Sequence, residues 1–70
     1  MHPAEGKLFA PDMIQTMRVA LDVAWESLSL KQREQTPKSL LASRILDAAA
    51  GGEVDPSRLV IAALVSVPDP

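Results

Sequence analysis

The sequence predicts an all-α fold, a compact three-helix bundle that pairs as a homodimer. Its 70 residues include no cysteine and a single histidine, His2, so neither disulfides nor a metal would supplement the hydrophobic core. Two breaks, Lys31 to Pro37 and Gly51 to Pro56, separate three stretches in which apolar residues recur every three or four positions. Because a chain of this length is near the lower limit for one core, we expect a single helical domain.

Residues 1–11 are predicted to form a flexible N-terminal arm. Pro3, Gly6 and Pro11 interrupt this segment, and no apolar period continues through it. It also lacks the basic start and apolar run of a secretory signal. The helical domain is therefore expected to occupy residues 12–67.

The first helix is predicted over residues 12–30, with Asp12 as its cap and Gln15 completing a capping box. At about 100° per residue, the side chains expected to face the core fill one arc of roughly 140°. They are Met13, Ile14, Met17, Ala20, Leu21, Ala24, Trp25 and Leu28. Val19, Val23 and Leu30 form a second apolar stripe, which a simple bundle does not require.

The second helix is predicted over residues 37–50. Thr36 is expected to cap it, and Pro37 to occupy its first helical position, where the missing N–H costs nothing. Gly51 or Gly52 is expected to end it in the left-handed conformation.

The third helix is predicted over residues 56–67, with Asp55 as its cap. Its apolar side chains cover roughly 240° of the circumference, because Ile61 and Val65 lie well away from its first apolar face. We expect a second copy of the chain to cover so broad a surface. The alternative is a monomer in which this helix is sandwiched between the other two.

The candidate interface combines the apolar residues that a three-helix core does not need with the single tryptophan. These residues are Val19, Val23, Trp25, Leu40, Ile61 and Val65. Trp25 lies at the edge of the first helix's core arc and is interpreted either as core boundary or as an interface anchor.

No catalytic, cofactor-binding or metal site is predicted, and the chain is not expected to be an enzyme. No serine has a histidine within the helical body to activate it. Asp22 and Glu26 share a helix face but lack the further ligands of a metal site. Asp47, Glu53 and Asp55, near the glycine pair, lack the alternating spacing of a calcium loop.

Charge and hydropathy argue against two classes of partner. The formal net charge is −2, and lysine and arginine are not concentrated as on a phosphate-binding surface. Lys31, Arg33, Lys38 and Arg44 gather around the first connection, where they are interpreted as solvated surface or as a docking point for an acidic partner. The longest apolar run, Leu59 to Val65, is far below the roughly 20 residues of a membrane span. Neither nucleic acid nor a membrane is expected as a partner, and the absence of cysteine fits a cytoplasmic protein.

A pattern of Leu-Ala, Ile-Leu, Ala, Gly-Glu-x-Asp, Leu and Ala-Leu occupies the second half of the chain. Its residues are Leu41, Ala42, Ile45, Leu46, Ala49, Gly52, Glu53, Asp55, Leu59, Ala63 and Leu64. This pattern resembles that of a group of short uncharacterised helical proteins from rhizobia and related alphaproteobacteria. The resemblance implies a compact helical bacterial protein, and no catalytic residue comes with it.

Two functional hypotheses follow from the sequence. The first is a non-enzymatic helical module for protein–protein interaction or regulation, which acts as a homodimer and binds another protein. The alternative is a binder of a small apolar ligand or effector, with a pocket between helices under Trp25, Met13 and Met17. Methionine side chains adapt to irregular apolar ligands, which is the reason for this second hypothesis.

Overall fold

The computed structural model describes residues 9–65, 67 and 68, and every regular element in this part of the chain is an α-helix. The helices are α1 (Pro11–Glu26), α2 (Leu30–Gln35), α3 (Lys38–Ala50) and α4 (Pro56–Leu64). The all-α prediction is confirmed, but the described residues form four helices, three long and one short. Most of the predicted N-terminal arm, residues 1–8, lies outside the described residues, and Pro11 already belongs to α1.

The three longer helices form the bundle, and the short α2 connects α1 to α3. α1, α3 and α4 pack pairwise against one another. α3 runs antiparallel to α1, since Lys38 at its start pairs with Asp22 near the end of α1 at 3.8 Å. α4 runs parallel to α1, because beyond its end the Pro68 carbonyl accepts a hydrogen bond from Gln32 Nε2 of α2 at 3.0 Å. α4 therefore packs against one side of the α1–α3 pair, and the other side of that pair faces outward.

The core lies where the three longer helices meet, and it is aliphatic. Its buried members are Ala20, Ala24, Leu28, Leu41, Ile45, Ala49, Leu59 and Ala63. Half of these residues are alanine, so the helices can approach closely at those positions. Leu41, Ile45 and Leu59 are the largest fully buried apolar side chains and contribute most of the core's volume.

The first helix is shorter than the predicted span of residues 12–30, because the chain leaves the helix after Glu26 and restarts as α2. Ser27 Oγ donates a hydrogen bond to the Ala24 carbonyl at 2.8 Å. Ser29 caps α2: its Oγ accepts from the Gln32 N–H at 3.1 Å, and Gln32 Oε1 accepts from the Ser29 N–H at 2.9 Å. Such a capping box fixes a new helix start, so the polar run of residues 31–35, which the sequence predicts to be part of a break between helices, is helical.

The predicted cap of the first helix is wrong. α1 begins at Pro11, its N-cap is Ala10, and no side chain caps it. Proline at the first helical position lacks an N–H, which removes one of the donors that a cap would satisfy. Asp12 therefore lies inside the first turn, where its negative charge still favours the helix N-terminus.

The start of α4 confirms the sequence prediction. Asp55 Oδ1 accepts from the Ser57 N–H at 2.9 Å. The preceding turn contains Gly52 with φ 106°, a conformation that only glycine adopts without strain. α4 ends at Leu64, short of the predicted residue 67, and Pro68 disfavours helical backbone in the residue before it.

Thr36 differs most from its predicted role as a helix cap. It ends α2 in an extended conformation, and Pro37 is the N-cap of α3. The Thr36 side chain is 1% exposed, and its Oγ1 has no hydrogen-bond partner among the described residues. A buried hydroxyl without a partner destabilises the folded state by roughly 1–3 kcal/mol.

Replacing Thr36 by Val is therefore expected to raise the free energy of unfolding by about 1 kcal/mol, because valine keeps the shape and removes the unpaired hydroxyl. Urea unfolding followed by circular dichroism measures the change. Thr36→Ser, which keeps the hydroxyl and removes the methyl group, should lower stability. A loss of stability in Thr36→Val would show that the hydroxyl has a partner.

Candidate functional site

An exposed apolar ridge runs along the outer side of α4. Ile61 is 62% exposed and Val65 is 77% exposed. Residues four apart lie one above the other on a helix, so these two side chains are neighbours. α4 buries Leu59 and Ala63 on its inner side, and the ridge is left without a partner among the described residues.

Two valines of α1 flank this ridge on one side. Ala20 and Ala24 form the buried row of α1, while Leu21 lies to one side of that row and faces α3 across a groove. At about 100° per residue, Val19 and Val23 fall on the other side, next to α4. They are 45% and 50% exposed. Neither valine belongs to the core cluster.

Leu40 is the α3 residue of the predicted interface. It lies in the first turn of α3 and is half-buried. α3 and α4 are antiparallel, so the start of α3 and the end of α4 are at the same end of the bundle. Leu40 and Val65 therefore lie at that end. We use the term α4 face for Val19, Val23, Leu40, Ile61 and Val65 together.

Trp25 does not belong to the α4 face. Its ring lies at the α1–α3 seam, with the Arg33 guanidinium carbon 5.4 Å and the Lys38 Nζ 5.8 Å from its centroid. Arg33 Nε also donates to the Trp25 carbonyl at 3.1 Å. The structure therefore separates Trp25 from the other five residues of the predicted interface.

Two of the four cations near the first connection, Arg33 and Lys38, each lie close to a carboxylate. Arg33 Nη2 lies 3.6 Å from Glu26 Oε1, and Lys38 Nζ lies 3.8 Å from Asp22 Oδ1. These pairs are partly exposed and contribute little to stability. They leave little net positive charge around Trp25 for an acidic partner, which favours the interpretation of this region as solvated surface.

An open groove lies along the outer side of the α1–α3 seam, with a volume of about 180 Å³. Its lining consists of Ile14, Met17, Arg18, Leu21, Ala42, Ile45 and Leu46. The pocket expected under Trp25 is not at this place, since of its three predicted residues only Met17 lines the groove. The contribution of α3 could not be found from the sequence, because it depends on which helix packs beside α1.

Several of the acidic residues considered as metal ligands have other partners: Glu26 pairs with Arg33, and Glu53 Oε2 accepts from the Asp55 N–H at 3.2 Å. Asp22 pairs with Lys38, and Asp55 caps α4. Within residues 9–65, 67 and 68, no three acidic or histidine side chains form a group that could hold a metal ion.

None of the described helices is both long enough and apolar enough to cross a membrane. Comparison of the chain with protein-family models, with curated proteins and with solved structures gives no match.

Proposed function

We propose that this chain is a non-enzymatic helical interaction module that forms a homodimer through its α4 face and acts on another protein. The observation that supports the homodimer is the exposure of two neighbouring apolar residues on the outer side of α4: Ile61 is 62% exposed and Val65 is 77% exposed. Burying these side chains against a second copy would favour association, because it removes apolar surface from water. Contiguous apolar patches are rare on the surface of monomeric proteins, and where they occur they often mark a site of protein–protein interaction.

The composition of α4 favours pairing with a second copy. Arg58 is its one charged residue, so two copies of the helix can meet with little repulsion or desolvation of charge. A two-fold axis beside α4 would bring the same patch of each copy together, as a closed dimer requires. Val19, Val23 and Leu40 would then surround the central contact and exclude water from it.

The test is the solution mass of the full chain, measured by light scattering across a broad concentration range, for the wild type and two matched variants. Ile61→Glu places a charge in the centre of the α4 face and should weaken dimerisation at least about tenfold, because a charge would be buried without a partner. Val54→Glu is the control, since Val54 is 69% exposed and lies in the α3–α4 connection. It should dimerise like the wild type.

Two results would contradict the homodimer. One is a wild type that remains monomeric at the highest concentration. The other is an equal loss of dimer in Ile61→Glu and Val54→Glu. That result would show that an added negative charge weakens the dimer wherever it is placed on the surface. Circular dichroism of both variants must show the helical content of the wild type for the comparison to apply.

The second candidate function is the binding of a small, largely apolar ligand. The groove between α1 and α3 favours it, because all but one of its lining residues are apolar and it is open to solvent. The groove and the α4 face lie on opposite sides of the bundle, so the two functions can coexist in one molecule.

A further inference from the structure

The α1–α3 groove has the dimensions of a short aliphatic chain. Its floor includes Ile45, which is 2% exposed, and its rims include Ile14 and Leu46, which are 45% and 47% exposed. An apolar cavity of about 150 Å³ binds benzene, so this groove of about 180 Å³ can hold roughly six to eight carbon atoms. Sites for drug-sized ligands start at about 300 Å³, so the groove can enclose only a shorter chain.

One charged residue lines the groove. Arg18 is exposed, and it forms no ion pair with any residue that the structure describes. Asp22, which follows it by one helical turn, pairs instead with Lys38. The Arg18 guanidinium can therefore donate hydrogen bonds to an anion at the groove's edge, and it suits a carboxylate because both groups are planar and can meet in two parallel hydrogen bonds.

We propose that the groove binds a short-chain aliphatic carboxylate, with the chain against Met17, Leu21 and Ile45 and the carboxylate on Arg18. The apolar walls select an aliphatic chain, the volume limits its length, and the guanidinium selects a negative head group. This proposal rests on the second candidate function and does not depend on the homodimer, which uses the opposite face.

The test is a titration of the isotope-labelled full chain followed by amide NMR shifts, using octanoate, octan-1-ol and octylammonium below the concentrations at which they form micelles. The three probes share one chain and differ in the charge of the head group. Octanoate should bind most tightly and octylammonium most weakly, and the shifts should concentrate on the groove residues of α1 and α3. Equal affinity for octanoate and octylammonium would overturn the role of Arg18.

Two variants separate the head group from the chain. Arg18→Gln should weaken octanoate about fivefold, the size expected for an exposed charge pair, and leave octanol unchanged. Ala42→Leu extends a lining side chain into the groove and should weaken both probes. Arg58→Gln, which removes a cation from α4, is the matched control and should bind octanoate like the wild type. If it weakens octanoate as much as Arg18→Gln does, net charge and not the groove attracts the ligand.

The same titration on Ile61→Glu separates this proposal from the homodimer. Octanoate should bind the wild type and Ile61→Glu equally, whatever their oligomeric states. Binding to Ile61→Glu alone would show that a second copy covers the groove, and shifts confined to the α4 face would place the ligand elsewhere. Either result would overturn the proposal, as would the absence of octanoate-dependent shifts.

Discussion

Leu59→Ala is expected to lower the free energy of unfolding by about 3 kcal/mol. Leu59 is completely buried and is the largest fully buried side chain of α4. Truncating it removes apolar contacts and leaves a cavity that neighbouring helices can fill only in part. Domains commonly have a stability of about 5–15 kcal/mol, and a chain of this length is at the lower end, so the variant should retain only about 2 kcal/mol.

Urea unfolding of the variant, at the same protein concentration as the wild type, measures this loss. The concentration must be fixed because self-association adds to the apparent stability. Leu30→Ala makes the same chemical change at a residue that is 76% exposed, and it should alter stability by no more than about 0.5 kcal/mol. Equal effects of the two substitutions would contradict the position of Leu59 in the core.

Ala24→Leu is expected to lower the free energy of unfolding by about 2 kcal/mol through overpacking. Ala24 is completely buried on α1, in the same core cluster as the buried Ala63 of α4. The larger side chain would force the helices apart or take a strained rotamer, and either change disrupts the contacts of its neighbours.

The matched control is Ala50→Leu, at the exposed last residue of α3. Alanine and leucine have similar helix propensities, so this variant isolates the effect of burial and should leave stability nearly unchanged. Thermal unfolding by circular dichroism suffices for both variants. A wild-type stability in Ala24→Leu would mean that the core has free space beside α1.

Much of the helical structure was predictable because it depends on local interactions. Asp55 and the proline after it specify the start of α4 through a side-chain cap and a fixed φ. Gly52 marks the turn before it. The capping box of Ser29 and Gln32 is also visible in the sequence and marks the start of α2, although the apolar period of α1 continues to Leu30.

Thr36 shows where local rules are insufficient. A threonine before a proline favours a helix cap on sequence grounds, yet here the side chain is buried and forms no hydrogen bond within the described residues. Its environment is determined by the approach of other helices, which contributes more energy than one capping hydrogen bond.

The candidate surfaces were predictable to different extents. Ile61 and Val65 could be found from α4 alone, because a helix with so wide an apolar arc leaves part of it exposed in a small bundle. The separation of Trp25 from them depends on the order in which helices pack around the core. The groove beside Arg18 depends on the pairing of α1 with α3 in the same way.

The sequence by itself determined that this protein is helical, where its glycine turn and its α4 cap lie, and that its last helix has more apolar surface than a three-helix core can cover. These properties follow from periodicity and from hydrogen bonds between residues a few positions apart. Only the tertiary structure decided that the α4 face and the groove lie on opposite sides, and that Thr36 is buried. Those properties depend on contacts between helices, which pattern and spacing within one helix do not specify.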